Sequence, residues 1–128
     1  MKQVLITGAA GGLGGAAASY FAEKGVKVYA LDINQDALDR INNPNIIPVY
    51  CNITDKVSVE SAVREVMKAT DRLDAVINMA GVLYMGSAVE TDEALMDRIL
   101  KINMLGMYTV NKYFFPFVKV GGGRIINV

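Results

Sequence analysis

A doubly wound α/β fold, with helices on both faces of a parallel sheet, is predicted by three features of this sequence. Apolar runs short enough to be strands recur at residues 4–7, 26–31, 46–51, 74–79 and 124–128, with segments of helical period between them. These runs are nearly continuous in apolar residues, as strands are when both faces of their sheet are covered. A glycine-rich turn joins the first run to the first helix, the tightest corner of an α/β unit. Strand, helix and strand in succession give right-handed crossovers and therefore parallel neighbours.

The elements follow in order. Val4-Leu5-Ile6-Thr7 is the first strand, and helix one is expected over about residues 12–24 with Leu13, Ala17, Tyr20 and Phe21 on its buried face. Gly25 stands where a left-handed residue ends a helix. After strand two, Asn34 can cap a short helix carrying Leu38 and Ile41, and Pro44 ends that region. Strand three is followed by Thr54 and Asp55 as caps for a helix whose Val59, Ala62, Val63, Val66 and Met67 keep helical spacing. Ala80-Gly81 breaks strand four. Thr91, followed by Asp92 and Glu93, begins a long helix that should stop near Phe115, because Pro116 and then Gly121-Gly122-Gly123 oppose its continuation. Met85, Met96, Met104 and Met107 read as core filler. No repeat or linker interrupts the chain, so residues 1–128 are expected to form one domain.

Composition narrows the function. Hydrophobic residues make up 52% of the 128 residues, which suits a packed core rather than a disordered chain. Thirteen basic residues balance thirteen acidic ones, without the basic excess expected of a nucleic-acid binder. No apolar run reaches the roughly 20 residues of a membrane span. A single cysteine, Cys51, excludes an internal disulfide and suits a reducing cytoplasm, and reads as a small buried hydrophobe. With no histidine, a histidine-based triad and a Cys/His zinc site are both ruled out in this chain.

The turn between strand one and helix one reads Thr7-Gly8-Ala9-Ala10-Gly11-Gly12-Leu13-Gly14-Gly15. A diphosphate needs a tight corner, a backbone without side chains in its way and a helix N-terminus aimed at its charge. Gly8 supplies the corner, Gly11 and Gly12 allow close approach, the N–H groups through Leu13 can donate, and Gly14 lets the helix pack on the sheet. A P-loop is excluded because no Gly-Lys-Ser/Thr follows at the right distance. Asp32, 20 residues after Gly12 and followed by Ile33, can accept both ribose hydroxyls of a bound dinucleotide. It would also repel a 2′-phosphate by roughly 4 kcal/mol per charge pair at about 4 Å and an effective dielectric near 20, which favours NAD over NADP. The plainer reading of Asp32 is a strand end facing solvent.

With these residues placed, the sequence resembles the short-chain dehydrogenase/reductase family, whose Rossmann-like sheet carries a T-G-x-x-x-G-x-G turn matched here by Thr7, Gly8, Gly12 and Gly14. Cys51-Asn52-Ile53-Thr54-Asp55 resembles the segment that meets the adenine, with Asn52 in place of the usual Asp; its carbonyl oxygen can still bond the adenine amine. Asn78-Met79-Ala80-Gly81 resembles the family's N-N-A-G, with Met79 departing from it; the resemblance assigns Asn78, Ala80 and Gly81 to the sheet and the nicotinamide ribose. Asn103, in Ile102-Asn103-Met104-Leu105-Gly106, resembles the Asn of the family's catalytic tetrad. The remaining members, a Ser and a Tyr-x-x-x-Lys pair in which the Lys lowers the pKa of the Tyr, would fall beyond Val128. Tyr20-x-x-x-Lys24 and Tyr108-x-x-x-Lys112 have that spacing, but lie too far along helix one or off the Asn103 face to serve.

The resemblance implies an NAD-dependent alcohol dehydrogenase or ketone reductase that passes a hydride between the nicotinamide and a carbinol or carbonyl carbon. It implies a small alcohol or ketone as substrate, a cytoplasmic setting, and homo-oligomers paired through the long helix around residues 95–115. The dinucleotide-binding domain is expected to be incomplete at its C-terminal end, truncated after the fifth strand and inactive alone. A second reading is a non-catalytic NAD-binding or dimerising module; a third is a methyltransferase or flavodoxin-like domain on a similar sheet.

Overall fold

The computed structural model describes residues 1–128. Five parallel strands, β1 (Gln3–Thr7), β2 (Lys27–Asp32), β3 (Ile46–Tyr50), β4 (Ala75–Asn78) and β5 (Arg124–Asn127), lie in the order β3-β2-β1-β4-β5. The chain winds outward from β1 through β2 to β3, then crosses to the other side of β1 for β4 and β5. The reversal between β1 and β4 opens a crevice at the carboxyl ends of the strands, where open α/β sheets hold ligands. Pro48, which has no N–H for a ladder bond, lies in the edge strand β3, where that lack is tolerated. No helix is long and apolar enough to cross a membrane.

Although the strand interiors are apolar throughout, successive side chains still go to opposite faces. Val4, Ile6, Val28, Ala30 and Ile77 pack on one face with Ala18 and Ala22 of α1 (Gly12–Glu23). Leu5, Tyr29, Leu31, Val49 and Val76 pack on the other with α3 (Lys56–Met67) and α5 (Met107–Gly121), through Val59, Val66, Val110 and Phe114. Leu38 is buried from the short α2 (Gln35–Asp39), which Asn34 caps by accepting from the Ala37 N–H at 3.1 Å.

Three expectations are corrected. The buried stripe of α1 is Gly14, Ala18 and Ala22, while Leu13 and Tyr20 are exposed. A Cβ at Gly14 would sit 2.0 Å from the Gly8 carbonyl oxygen. The helix therefore rides too close to the sheet for large residues in its inner stripe, while Ala17 and Phe21 pack partly buried beside it, as expected.

The long helix is capped by Asp92, one residue after Thr91, so that α4 (Glu93–Leu100) begins at Glu93, and the helix runs through Pro116 to Gly121. A proline inside a helix costs about 3 kcal/mol, but Phe114, Phe117 and Val118 flank it in the core, and each large apolar side chain buried contributes about 1.5–3 kcal/mol. Between α4 and α5 the helix widens into a π-helical turn, Lys101–Gly106. A Cβ at Gly106 would come within 2.8 Å of the Ile53 side chain.

Met85, Met96 and Met104 are exposed rather than core, because the loop after β4 and the outer face of this helix extend past the sheet they would need to pack on. Met67 is likewise exposed at the end of α3.

At the opposite end of the strands, Asp74 accepts from the Gln3 N–H at 2.7 Å and pairs with Arg72 at 3.1 Å and Lys2 at 3.7 Å. The Gln3 N–H above all, then Arg72 and Lys2, hold its carboxyl below the usual carboxylate range against the opposing effect of burial. A depressed folded-state pKa gives stability that is fully present above the unfolded value near 3.9 and is lost as pH falls through the lower folded value. Asp74→Asn is expected to cost about 1–2 kcal/mol at pH 7 by urea denaturation, and less at pH 3, below the unfolded value. An equal loss at both pH values would refute this account.

Candidate functional site

A cavity of about 760 Å³ occupies the crevice, lined by the segments that follow β1, β2, β3 and β4 and by one face of the long helix. That volume is within the range of small-molecule and cofactor sites. The turn after β1 forms its floor. Gly8 has φ +67°, and a Cβ there would meet the Ala80 backbone at 2.9 Å. Around Gly11 and Gly12, by contrast, an added Cβ would meet nothing within 4 Å, so this stretch of backbone is open to the cavity. Asn34, Asp55 and Asp92 cap α2, α3 and α4 with their side chains, whereas α1 starts at Gly11 with no side-chain cap. The first N–H groups of α1 therefore remain available, with the positive end of the helix dipole behind them.

Asp32 stands at the end of β2, against this turn. Its Oδ2 accepts from the Ala10 N–H at 3.0 Å and its Oδ1 from the Asn34 N–H at 2.9 Å. Each carboxylate oxygen keeps a further lone pair for a ligand hydroxyl. After β3, Asn52 and Ile53 line the next part of the wall. Cys51, almost wholly buried, borders the cavity beside them; burial above all pushes its thiol up to about 12, the Ser58 hydrogen bond acts the other way, and the charge of Asp55 adds a smaller push upward. It is therefore protonated and unreactive at neutral pH, as expected of a small buried hydrophobe.

The wall after β4 is held by side chains that bond backbone. Thr7, almost wholly buried, accepts the Met79 and Ala80 N–H groups on its Oγ1, both at 3.1 Å. Asn103 bonds Val82 with both ends of its amide, accepting from its N–H at 2.8 Å and donating to its carbonyl at 2.8 Å.

Of the residues singled out from sequence, Gly8, Gly11, Gly12, Leu13, Asp32, Ile33, Asn52, Ile53, Ala80 and Gly81 all come together around the cavity. Asn78 and Asn103 do not line it. Asn78 is buried behind the wall, donating to the side-chain oxygens of Asn111 at 2.7 Å and Asn127 at 2.9 Å, while its own Oδ1 has no partner. Sequence reasoning missed the opposite wall, where Asp97, Arg98, Lys101 and Ile102 border the cavity and Lys101 pairs with Asp97 at 2.7 Å. Their spacing along one helix was the available signal, but nothing local shows that this helix crosses the strand ends. Neither Tyr-x-x-x-Lys pair reaches the cavity: Lys24 lies over the Tyr20 ring, Lys112 over that of Tyr113, and Tyr108 is exposed.

Comparison with known proteins agrees with this geometry. The profile of the short-chain dehydrogenases matches residues 2–128. The chain is 33% identical to an NAD-dependent glycerol dehydrogenase of Listeria innocua, over 99% of this chain and 52% of the relative. It is 31% identical to a 3-oxoacyl-(acyl-carrier-protein) reductase of Thermotoga maritima, over 99% and 54%. A meso-2,3-butanediol dehydrogenase of Serratia marcescens is 32% identical over 98% and 52%. Among solved structures, a 3-ketoacyl-(acyl-carrier-protein) reductase from Brucella melitensis complexed with NADH superposes with a TM-score of 0.84 at 26% identity, over 91% of this chain and 50% of that one. The chain thus spans about half the length of the curated relatives it matches.

Thr7 provides a test of how the wall is held. Thr7→Val keeps the shape but leaves two backbone N–H groups without their acceptor, at about 1–3 kcal/mol each. Urea denaturation should show a loss of roughly 2–6 kcal/mol, with faster amide hydrogen exchange at Met79 and Ala80. A change below 0.5 kcal/mol (roughly the background for neutral substitutions) would mean that Thr7 does not pin the loop.

Proposed function

The chain belongs to the short-chain dehydrogenase family, and we propose that residues 1–128 are its NAD-binding domain, part of an oxidoreductase acting on a small alcohol or ketone. The observation that carries this reading is the junction of the uncapped N-terminus of α1 with Asp32, joined through the Ala10 N–H at 3.0 Å. One end suits a diphosphate and the other a ribose diol.

The residues present fit that group. In this reading the backbone of Gly8, Gly11, Gly12 and Leu13 holds the diphosphate, and Asp32, beside Ile33, accepts the adenosine ribose hydroxyls and repels a 2′-phosphate. Asn52 and Ile53 face the base, and Ala80 and Gly81 border the nicotinamide ribose. Bound nicotinamide supplies the hydride acceptor or donor for a carbinol or carbonyl carbon. Asn78 and Asn103 act from behind the wall: Asn78 ties β4 to β5 and α5, and Asn103 fixes the loop at Val82 from the π-helical turn. Such turns frequently mark functional sites, and Asn103 is the candidate for a place in the catalytic set.

The Ser and the Tyr-x-x-x-Lys pair implied by the family resemblance have no counterpart at this cavity. The 128-residue chain is therefore expected to bind NAD while turning over little, since proton transfer needs a tyrosine with a lowered pKa. Leu100, Met104 and Tyr108, exposed on the long helix, support pairing between copies of the chain, and the free, buried Cys51 suits a cytoplasmic setting.

Calorimetric titration tests the reading. NAD should bind more tightly than NADP. Asp32→Ala should weaken NAD by about 10–100-fold, the worth of one or two charge-assisted hydrogen bonds, and narrow its lead over NADP. Unchanged NAD affinity in a folded Asp32→Ala variant would refute the assignment. Steady turnover of simple alcohols with NAD by the mass-verified 128-residue chain would refute the expectation of low activity.

A further inference from the structure

The π-helical turn Lys101–Gly106 is held from two sides. Gly106 has ordinary helical backbone angles, φ −62° and ψ −44°, so its missing side chain answers a need for space rather than for conformation. It is buried, and a Cβ there would stand 2.8 Å from both Cγ1 and Cδ1 of Ile53 and 3.2 Å from the Lys101 carbonyl oxygen. On the other side of the turn, a Cβ on Gly81 would stand 3.2 Å from the Asn103 Oδ1. The turn is thus wedged between the segment that follows β3 and the segment that follows β4. The two helices it joins are anchored unequally. α5 is fixed in the core through Val110, Phe114, Phe117 and Val118, whereas α4 buries no residue. The direction in which Asn103 points is therefore set from α5 through the turn, and packing of α4 does little to fix it.

We propose that Gly106 is a positioning residue for Asn103. It lets the helix rest against Ile53, and that contact holds the widened turn from which the Asn103 amide reaches Val82. Each residue of an α-helix turns it by about 100°. A turn one residue wider therefore re-aims the side chains before it by an angle of that order, and a return to α-helical winding would swing Asn103 off Val82. Such turns are rare, and this one is kept by the two bonds from Asn103 to Val82 and by the close approach at Gly106. A methyl group at position 106 would push the helix off Ile53 and loosen the hold of Asn103 on the loop after β4. The geometry does not depend on what the cavity binds; its bearing on catalysis rests on the place proposed above for Asn103.

The test is amide hydrogen exchange of the unliganded chain, read residue by residue by NMR. In Gly106→Ala the Val82 N–H, whose acceptor is Asn103, is expected to exchange about tenfold faster, while the Met79 and Ala80 N–H groups, which Thr7 holds, keep their wild-type rates. Adding Ile53→Ala, which removes both side-chain atoms in the way, is expected to return Val82 to within about threefold of the wild-type rate. An unchanged Val82 rate in folded Gly106→Ala, an equal rise at Met79 and Ala80, or no rescue in the double variant overturns the proposal. None of these outcomes bears on the NAD reading, which the calorimetric titrations decide. In the wild type, a nuclear Overhauser contact between the Gly106 α-protons and the Ile53 δ-methyl is expected, and its absence overturns the proposal even where the variants do not fold.

Discussion

The contact on which this structure turns is between two backbones, that of α1 at Gly14 and the Gly8 carbonyl, where a Cβ would stand 2.0 Å from the oxygen. Only hydrogen fits there, so α1 lies close against the turn that follows β1. That approach makes the inner stripe of the helix small, Gly14, Ala18 and Ala22, and aims the helix N-terminus across the strand ends. The uncapped N–H groups, the open backbone at Gly11 and Gly12 and the bond from Ala10 to Asp32 all follow from where this corner is forced to lie.

Around the corner, the cavity is framed by polar side chains that serve backbone instead of solvent. Thr7 holds the loop after β4 by two N–H groups, Asn103 holds its next turn by both ends of an amide, and Asn78 joins β4 to β5 and α5. Buried N–H and C=O groups must be paired, and irregular loops at strand ends have no ladder to pair them. Short polar side chains from neighbouring elements fill that need, and they fix the loops in the positions that shape the cavity. The same logic holds at Asn52, whose oxygen accepts the Thr54 N–H.

Roles of this kind are where sequence reading and structure part. The family resemblance assigns Asn78 to the sheet and the nicotinamide ribose and Asn103 to the catalytic tetrad, while the apolar neighbours of Asn103 by themselves read as a structural setting. In three dimensions their polar atoms are directed at partners 21 to 49 residues away, which no local pattern displays. Pro116 misled in the same way: its local cost is real, but Phe114, Phe117 and Val118 bury the helix on both sides of it. The wall formed by Asp97, Arg98, Lys101 and Ile102 was illegible because it depends on how the long helix crosses the sheet.

The sequence by itself determined the layered parallel sheet, the glycine corner and the acid at the end of β2. Those features are written in local terms: apolar runs that must be covered on both faces, glycines where a side chain would collide, a charge at a fixed distance along a βαβ unit. Tertiary structure alone decided which face of α1 is buried, where the long helix widens into its π-helical turn and continues, and which polar groups are left free to meet a ligand. Those outcomes hang on distances between segments far apart in the chain, and hydrogen bonding and packing are settled by distance in space, not by separation in sequence.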